Sequence, residues 1–372
     1  MRSSAVSGIV FANVNDSLLK KLTSKRSIAA IPFGARYRLI DFALSNLVNA
    51  GVTSVGIITK ENYRSLMDHV GNGSHFELDR KNGGIYILPP YLTSGMKRYS
   101  GTVDALYGAK DYIKRCGSEY IVLYNSDVLM NVDLSKALKY HIDRKADVTI
   151  LYSNNELSEE NRDNLHITVD ENSRVKKISC EPGRNEDAGC AIGVTIVSRK
   201  LLLELIYDAY DNGLINFSRD VLINKVASLN IYGYEHDGCV YLMNGMDTYF
   251  KASMDLLKPE VRHQLFDKKH PILTKTRDDM PTRYGTKSVV NNSLIADGCI
   301  IEGTVKNSIL FRGVKVAKGA VVENCILMQE SAVGENTNLS YVISDKNGVV
   351  SENMVLKGTS EKQVFVKKNE AV

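Results

Sequence analysis

Through its first two-thirds the chain alternates mostly apolar runs with segments of helical spacing. Ser7 to Val14 predicts a buried strand. Val52 to Thr59, rich in β-branched residues, predicts a second. Gly84 to Leu88 predicts a third, stopped by Pro89-Pro90, and Tyr120 to Tyr124 a fourth that empties into Asn125-Ser126-Asp127. Between them Asp41 to Asn49 carries Phe42, Leu44 and Leu47 on or near one helical face and ends at Ala50-Gly51. Asn62 to Val70 and Thr102 to Arg115 predict two more helices. Leu134 to Arg144 predicts a helix, Asp147 to Tyr152 a strand, and His166 to Ile178 a hairpin turning at Asp170-Glu171-Asn172. This order predicts an α/β unit with a largely parallel sheet covered on both faces. Ligands of such sheets sit beyond the carboxyl ends of the strands, so Asp127 falls where chemistry is expected.

From about Lys287 helical spacing disappears and apolar residues recur in steps of six: Ile295 and Ile301; Cys299, Val305 and Phe311; Val314, Ala320, Ile326 and Ala332; Val316, Val322 and Met328. Glycine and asparagine punctuate the steps at Gly298, Gly303, Gly313, Gly319, Asn324 and Gly334. A hexapeptide period predicts short strands joined by tight turns and stacked as a parallel β-helix. The chain therefore divides into an α/β unit over 1–257, a linker over 258–284 with mixed charge, Pro271 and Pro281, and a β-helix over 285–372.

Composition changes this picture little. Apolar content of 44% and charged content of 24% are ordinary for a globular protein of 372 residues. A formal net charge of +4 permits phosphorylated ligands, but no clustered basic stripe points to nucleic acid. Six cysteines without a C-x-x-C pair predict reduced thiols rather than disulfides or a zinc site. The apolar start, Ala5 to Val14, lacks a signal-peptide cleavage region, and no run reaches the ~18 apolar residues of a membrane span. A cytoplasmic location is expected.

One segment carries a resemblance. Lys25 to Asn46 reads K-R-S-I-A-A-I-P-F-G-A-R-Y-R-L-I-D-F-A-L-S-N and closely resembles the K-R-A-K-P-A-V-P-F-G-G-x-x-R-x-I-D-F-x-L-S-N signature of ADP-glucose pyrophosphorylases. Tyr99-Ser100-Gly101-Thr102-Val103-Asp104-Ala105 is similar to the family's Y-x-G-T-A-D-A. Val169 to Asn172 matches its V-D-E-N hairpin, and Lys251 to Leu256 its K-A-N-x-D-L. The resemblance spans nearly the whole chain in order. It implies a Rossmann-like nucleotidyltransferase domain with a mixed, mostly parallel sheet, followed by a left-handed β-helix.

The family joins the α-phosphate of ATP to glucose 1-phosphate and releases pyrophosphate. That chemistry needs backbone N–H groups against phosphate, cations, and carboxylates that hold Mg²⁺. By resemblance the loop G-G-x-G-T-R-L falls on Asn13-Val14-Asn15-Asp16-Ser17-Leu18-Leu19, where the glycines are gone, Asp16 adds a negative charge and Leu18 stands for the arginine. Ile28 replaces a phosphate-binding lysine, Glu181 replaces the lysine of E-K-P, and Ala191 replaces the serine of S-M-G-I. Asp127 survives as one metal carboxylate, whereas Leu242 takes the place of the second; Asp247 lies nearby. Tyr99, Gly101 and Thr102 are a nucleotide-binding remnant.

The losses touch both substrates and the metal. The resemblance thus implies a catalytically degenerate subunit of the kind that glycogen-making low-GC Gram-positive bacteria carry: no catalytic residues, no tightly held Mg²⁺, and a heterotetramer with a catalytic pyrophosphorylase subunit. Competing readings are a weakly active adenylyltransferase and a free-standing binding protein for a sugar phosphate or nucleotide. A phosphorylated effector would bind between the domains, with Arg36 and Arg312 as the expected contacts. Neither nucleic acid nor membrane is an expected partner.

Overall fold

The apolar run predicted from Ser7 forms the strand Val6–Phe11, all of it buried. Both its edges are paired inside a nine-stranded sheet, with parallel neighbours Ser54–Ile58 and Tyr120–Asn125, and helices cover its two faces. The computed structural model describes residues 5–90, 99–155, 165–180 and 188–372. Gly84–Leu88 extends the sheet past Ser54–Ile58. Gly189–Ser198 adds antiparallel to Tyr120–Asn125 and in turn pairs with Val148–Ser153 and His166–Val169. Val175–Ser179 closes the predicted hairpin, and Ile231–Glu235 runs parallel to Val148–Ser153. Only Gly189–Ser198 and Val175–Ser179 run against the other described strands of this sheet.

Alternation along the strands feeds two cores. Val10, Val122 and Tyr124 pack with Leu44 and Leu47 of the helix Leu39–Asn49. Ile9, Phe11, Ile121 and Leu123 face the other way, toward Leu106, Leu202 and Ile206. The single helix predicted from Thr102 to Arg115 is two, Thr102–Gly108 and Lys110–Arg115. Ala109 between them has ψ of 1°. Glycine weakens a helix at Gly108, and Tyr99 packs so close there that a Cβ would lie 2.7 Å from its hydroxyl.

The hexapeptide region forms three five-stranded parallel sheets, a left-handed β-helix beginning with Arg283–Tyr284 and ending with Val364–Val366. Its coils are shorter than three full hexapeptides. Ile300 pairs with Lys315, 15 residues on, and Lys315 with Ala332, 17 residues on. Corners are tightened by residues of positive φ such as Asn307 and Asn324, a conformation asparagine tolerates. Val305, Val314, Val316, Ala320 and Val322 fill the interior.

A third core joins the two units: Phe33, Phe42, Tyr249 and Phe250 meet Ile309, Phe311, Ile326, Met328 and Ile343 of the β-helix. The chain between them is not a bare tether. It contains the helix Pro259–Leu265 and is strapped to the first unit where the Thr274 hydroxyl donates to Asp41 Oδ2 at 2.6 Å. The Leu273 N–H also donates to Ser45 Oγ at 2.8 Å. All six cysteines are free thiols. Among the described residues no helix is long and apolar enough to cross a membrane.

Candidate functional site

A cleft of about 360 Å³ opens at the carboxyl ends of Val6–Phe11 and Tyr120–Asn125. It gathers Val14, Thr102, Asp127, Ala191 and Leu242, residues 228 positions apart at the extremes (14 to 242) that the family resemblance assigns to one site. Each arrives on its own element. Asp127 follows the strand Tyr120–Asn125. Leu242 ends the strand Val240–Leu242, opposite Val128 in an antiparallel pair, and the Met243 N–H holds it there by donating to the Asp127 carbonyl at 2.8 Å. Ala191 lies on Gly189–Ser198, whose register slips between Ala191 and Thr195. Gly193 makes that slip possible: its φ is +68°, and a Cβ there would press on Asn125 and Val128.

The loop after the first strand is closed by its own side chains. The Asn13 amide donates to Asp16 Oδ2 at 2.6 Å, and the backbone N–H of Ile28 donates to Asp16 Oδ1 at 2.9 Å. Asn13 Oδ1 accepts the N–H of Lys60 at 2.8 Å. Asn15, at φ of +62°, turns its amide inward and donates to Asp127 Oδ2 at 2.7 Å. A backbone that would have to offer bare N–H groups to phosphate instead carries three engaged side chains.

These bonds decide the electrostatics. Burial pushes the Asp127 carboxyl up to about 6, against the lowering effect of the Asn15 bond. Burial also raises Asp16, opposed by its bonds from Asn13 and Ile28. Asp127 Oδ1 is buried with no hydrogen-bond partner. Mg²⁺, which the family resemblance implies, does not fit these residues. It needs near-ideal octahedral oxygen geometry, yet the one carboxylate here accepts an amide, and beside it stands Leu242. Among the described residues no group of three His, Cys, Asp or Glu side chains could hold a metal.

The other expected site residues scatter. Asn13 and Asp16 line a separate outer hollow with Lys60 and Glu61. Leu18 is 43% exposed, and Ile28 is wholly buried in the core between the units. Asp247 is exposed in the first turn of the helix Met246–Asp255 and does not line the cleft. Glu181 lies outside the described residues. Tyr99 and Gly101 are likewise not among the cleft's lining. Tyr99 donates its hydroxyl to the Pro89 carbonyl at 3.2 Å. Gly101 is required because a Cβ would stand 2.3 Å from the Ile215 carbonyl oxygen. Thr102 does line the cleft, but its hydroxyl accepts the Phe217 N–H at 2.8 Å. Of the expected effector contacts, Arg36 is exposed above the Tyr37 ring. Arg312 is buried with its Nε 3.3 Å from Asp279 Oδ2.

Sequence reasoning missed Asn216, Ser218 and Arg219 on the polar rim of the cleft, and it gave Asn15, Asn125 and Asn244 no role of their own. It also missed a basic group at the joint between units. Arg26 is 2% exposed and forms a two-pronged pair with Asp345 of the β-helix, at 2.7 and 2.9 Å. Burial pushes the Lys346 amine down to about 7, reinforced by the nearby charges of Arg38 and Arg26. Arg38 is visible within the signature segment; nothing in the sequence ties Lys346 to it.

With this geometry in place, comparison with known proteins is informative. The nucleotidyl transferase family matches residues 9–241, and the GlmU-like C-terminal hexapeptide family matches residues 279–366. The chain is 34% identical over 362 residues to the glycogen biosynthesis protein GlgD of Bacillus subtilis (strain 168), covering 97% of this chain and 95% of that protein. It is 38% identical over 316 residues to GlgD of Geobacillus stearothermophilus, covering 85% and 82%. Over 355 residues it is 32% identical to the glucose-1-phosphate adenylyltransferase of Bacillus mycoides (strain KBAB4), covering 94% of each. The chain belongs to the nucleotidyl transferase family, in the branch shared by glucose-1-phosphate adenylyltransferases and the GlgD glycogen biosynthesis proteins.

Proposed function

We propose that this chain is a non-catalytic, regulatory subunit in glycogen biosynthesis that assembles with a catalytic glucose-1-phosphate adenylyltransferase subunit. The observation that carries the reading is the bond from Asn15 to Asp127, with Leu242 beside it. The phosphate loop is folded onto the surviving carboxylate, and the second carboxylate is missing. Loss of one preorganised charge contact costs about 3–4 kcal/mol of transition-state stabilisation, and several are gone at once. The naming of two relatives as glycogen biosynthesis proteins, distinct from the named adenylyltransferases, supports the same division of labour.

The joint between the units supports a regulatory role. Arg38 and Lys346 lie beside the buried Arg26–Asp345 pair, where the β-helix meets the sheet unit. A phosphorylated effector bound there would touch both units and so distinguish their arrangements, as regulation requires. Arg277 and Arg312 are held by Asp279, and Arg36 lies near Arg312.

The test is to titrate the chain into a catalytic glucose-1-phosphate adenylyltransferase subunit while following sedimentation and initial rate. We expect no pyrophosphate release by the chain alone, a heavier mixed complex of tetramer size, and an altered rate or effector response. Independent sedimentation with unchanged kinetics removes the regulatory reading. Turnover by the isolated chain at about 1–1,000 per second would make it an enzyme in its own right.

A further inference from the structure

We infer that Lys346 is a modification site, where carbon dioxide adds to the side-chain amine as a carbamate held by Arg38 at the joint between the units. This goes beyond the regulatory reading and does not rest on it. Nor does it involve a phosphorylated ligand: the group added is a carboxylate on the chain itself.

Lys346 follows the strand Val342–Ser344 of the β-helix and is half-buried, so a molecule as small as carbon dioxide can reach it. Its nearest counter-ion in the chain is already engaged. Both oxygens of Asp345 accept from Arg26 Nη2, at 2.7 and 2.9 Å, and Oδ1 also accepts the Lys346 backbone N–H at 2.7 Å. Among the described residues no carboxylate pairs with the Lys346 amine. Arg38, Arg26 and Lys368 press positive charge on it instead, opposed by Asp345. Arg38 has anion-binding capacity to spare. Its Nη1 donates to the carbonyl and hydroxyl oxygens of Ser65, both neutral, and Asp41 and Asp68 act on its charge without pairing with its guanidinium.

Such a crowd of cations favours the amine without its proton. Burial, then Arg38 and Arg26, push it down to about 7, so near neutral pH about half of it is the free base. An ordinary lysine is free base there about once in a few thousand. The free amine's lone pair forms a C–N bond to the carbon of carbon dioxide, one C=O π pair moves onto oxygen, and the nitrogen gives up a proton to water. The product, R–NH–COO⁻, is an anion where the lysine was a cation. A planar group with two oxygens suits the guanidinium fork of Arg38. Arg26 and Arg38 belong to the sheet unit and Lys346 to the β-helix, so the step turns repulsion across the joint into attraction.

The test incubates the full chain with isotope-labelled bicarbonate and carbon dioxide, traps carbamates by ethylation with triethyloxonium, and maps the ethyl carbamate by peptide mass spectrometry. At pH 7.5 we expect label on Lys346 about tenfold or more above that on any exposed lysine. The excess should shrink above about pH 10, where every lysine is largely free base. Arg38→Gln removes the cation that holds the anion and should lower the Lys346 label about threefold or more. Label on Lys346 no greater than on the exposed lysines overturns the proposal. So does an unchanged label in an Arg38→Gln chain that keeps the far-UV dichroism of the parent. If that variant does not fold, the comparison among lysines of the parent chain still decides. Everything is read on the isolated chain, so failure here leaves the assembly reading intact, and failure to assemble leaves the label unchanged.

Discussion

Burial raises the Asp127 carboxyl from its ordinary 3.8 to about 6, so between these values the folded chain holds a proton that the unfolded chain has lost. Stability from this group is therefore fully present below about pH 4 and is lost as pH rises through about 6. Asp127→Asn keeps the shape and an acceptor for the Asn15 amide but removes the ionisation. It should stabilise the chain on the order of 1–2 kcal/mol at pH 7.5, a few degrees in melting temperature, with the gain vanishing near pH 4. Melting curves of both proteins across that range check the sign; a gain independent of pH would contradict the buried-carboxylate account. At this scale Leu242, Ile28 and the loop without glycines are legible in the sequence as residue types, and by resemblance they stand where the family's phosphate and metal contacts would be. It does not show Asn15, because only the fold brings that amide 2.7 Å from a carboxylate 112 positions away.

Elements are legible where their pattern is long and local. The strands Val6–Phe11, Ser54–Ile58, Gly84–Leu88 and Tyr120–Asn125 and the helix Leu39–Asn49 lie within a few residues of their predicted bounds. The helix from Thr102 is shorter than its pattern predicts because its break at Gly108 and Ala109 depends on Tyr99 packing from another segment. Gly101, just before that helix, carries the family's nucleotide-binding motif by resemblance. Its backbone contact with Ile215 explains the glycine without a ligand, and the Val103 N–H donates to the same carbonyl at 3.0 Å. Gly101→Ala should therefore cost about 1–3 kcal/mol, measured by denaturant unfolding. It should also shift the stretch Asn216 to Ser218 on the cleft's rim, visible as changed amide resonances there. An unperturbed stability would mean that the Ile215 loop yields freely.

The whole molecule is held by contacts that no local pattern announces. Arg26 and Asp345 are 319 positions apart and both nearly buried. Removing one partner leaves an uncompensated buried charge, so Asp345→Ala should destabilise the chain by about 3–5 kcal/mol in guanidinium unfolding. Arg26→Met combined with Asp345→Leu should recover most of that loss. If Asp345→Ala alone were neutral, the pair would not be what locks the β-helix to the sheet unit. The sequence by itself determined the two architectures and the family, because the apolar runs alternating with helical spacing, the period of six and the signature from Lys25 to Asn46 are all local. By resemblance it also places Leu242, Ile28 and the loop Asn13 to Leu19 where the family carries its residues for phosphate and metal chemistry. Tertiary structure alone decided where the lost and kept residues went: Leu18 to solvent, Ile28 into the joint, Arg312 onto Asp279, Asn15 onto Asp127. The physical reason is that burial and pairing are set by which distant segments the sheet and the coils bring together, and that is a property of the packed chain rather than of any stretch of it.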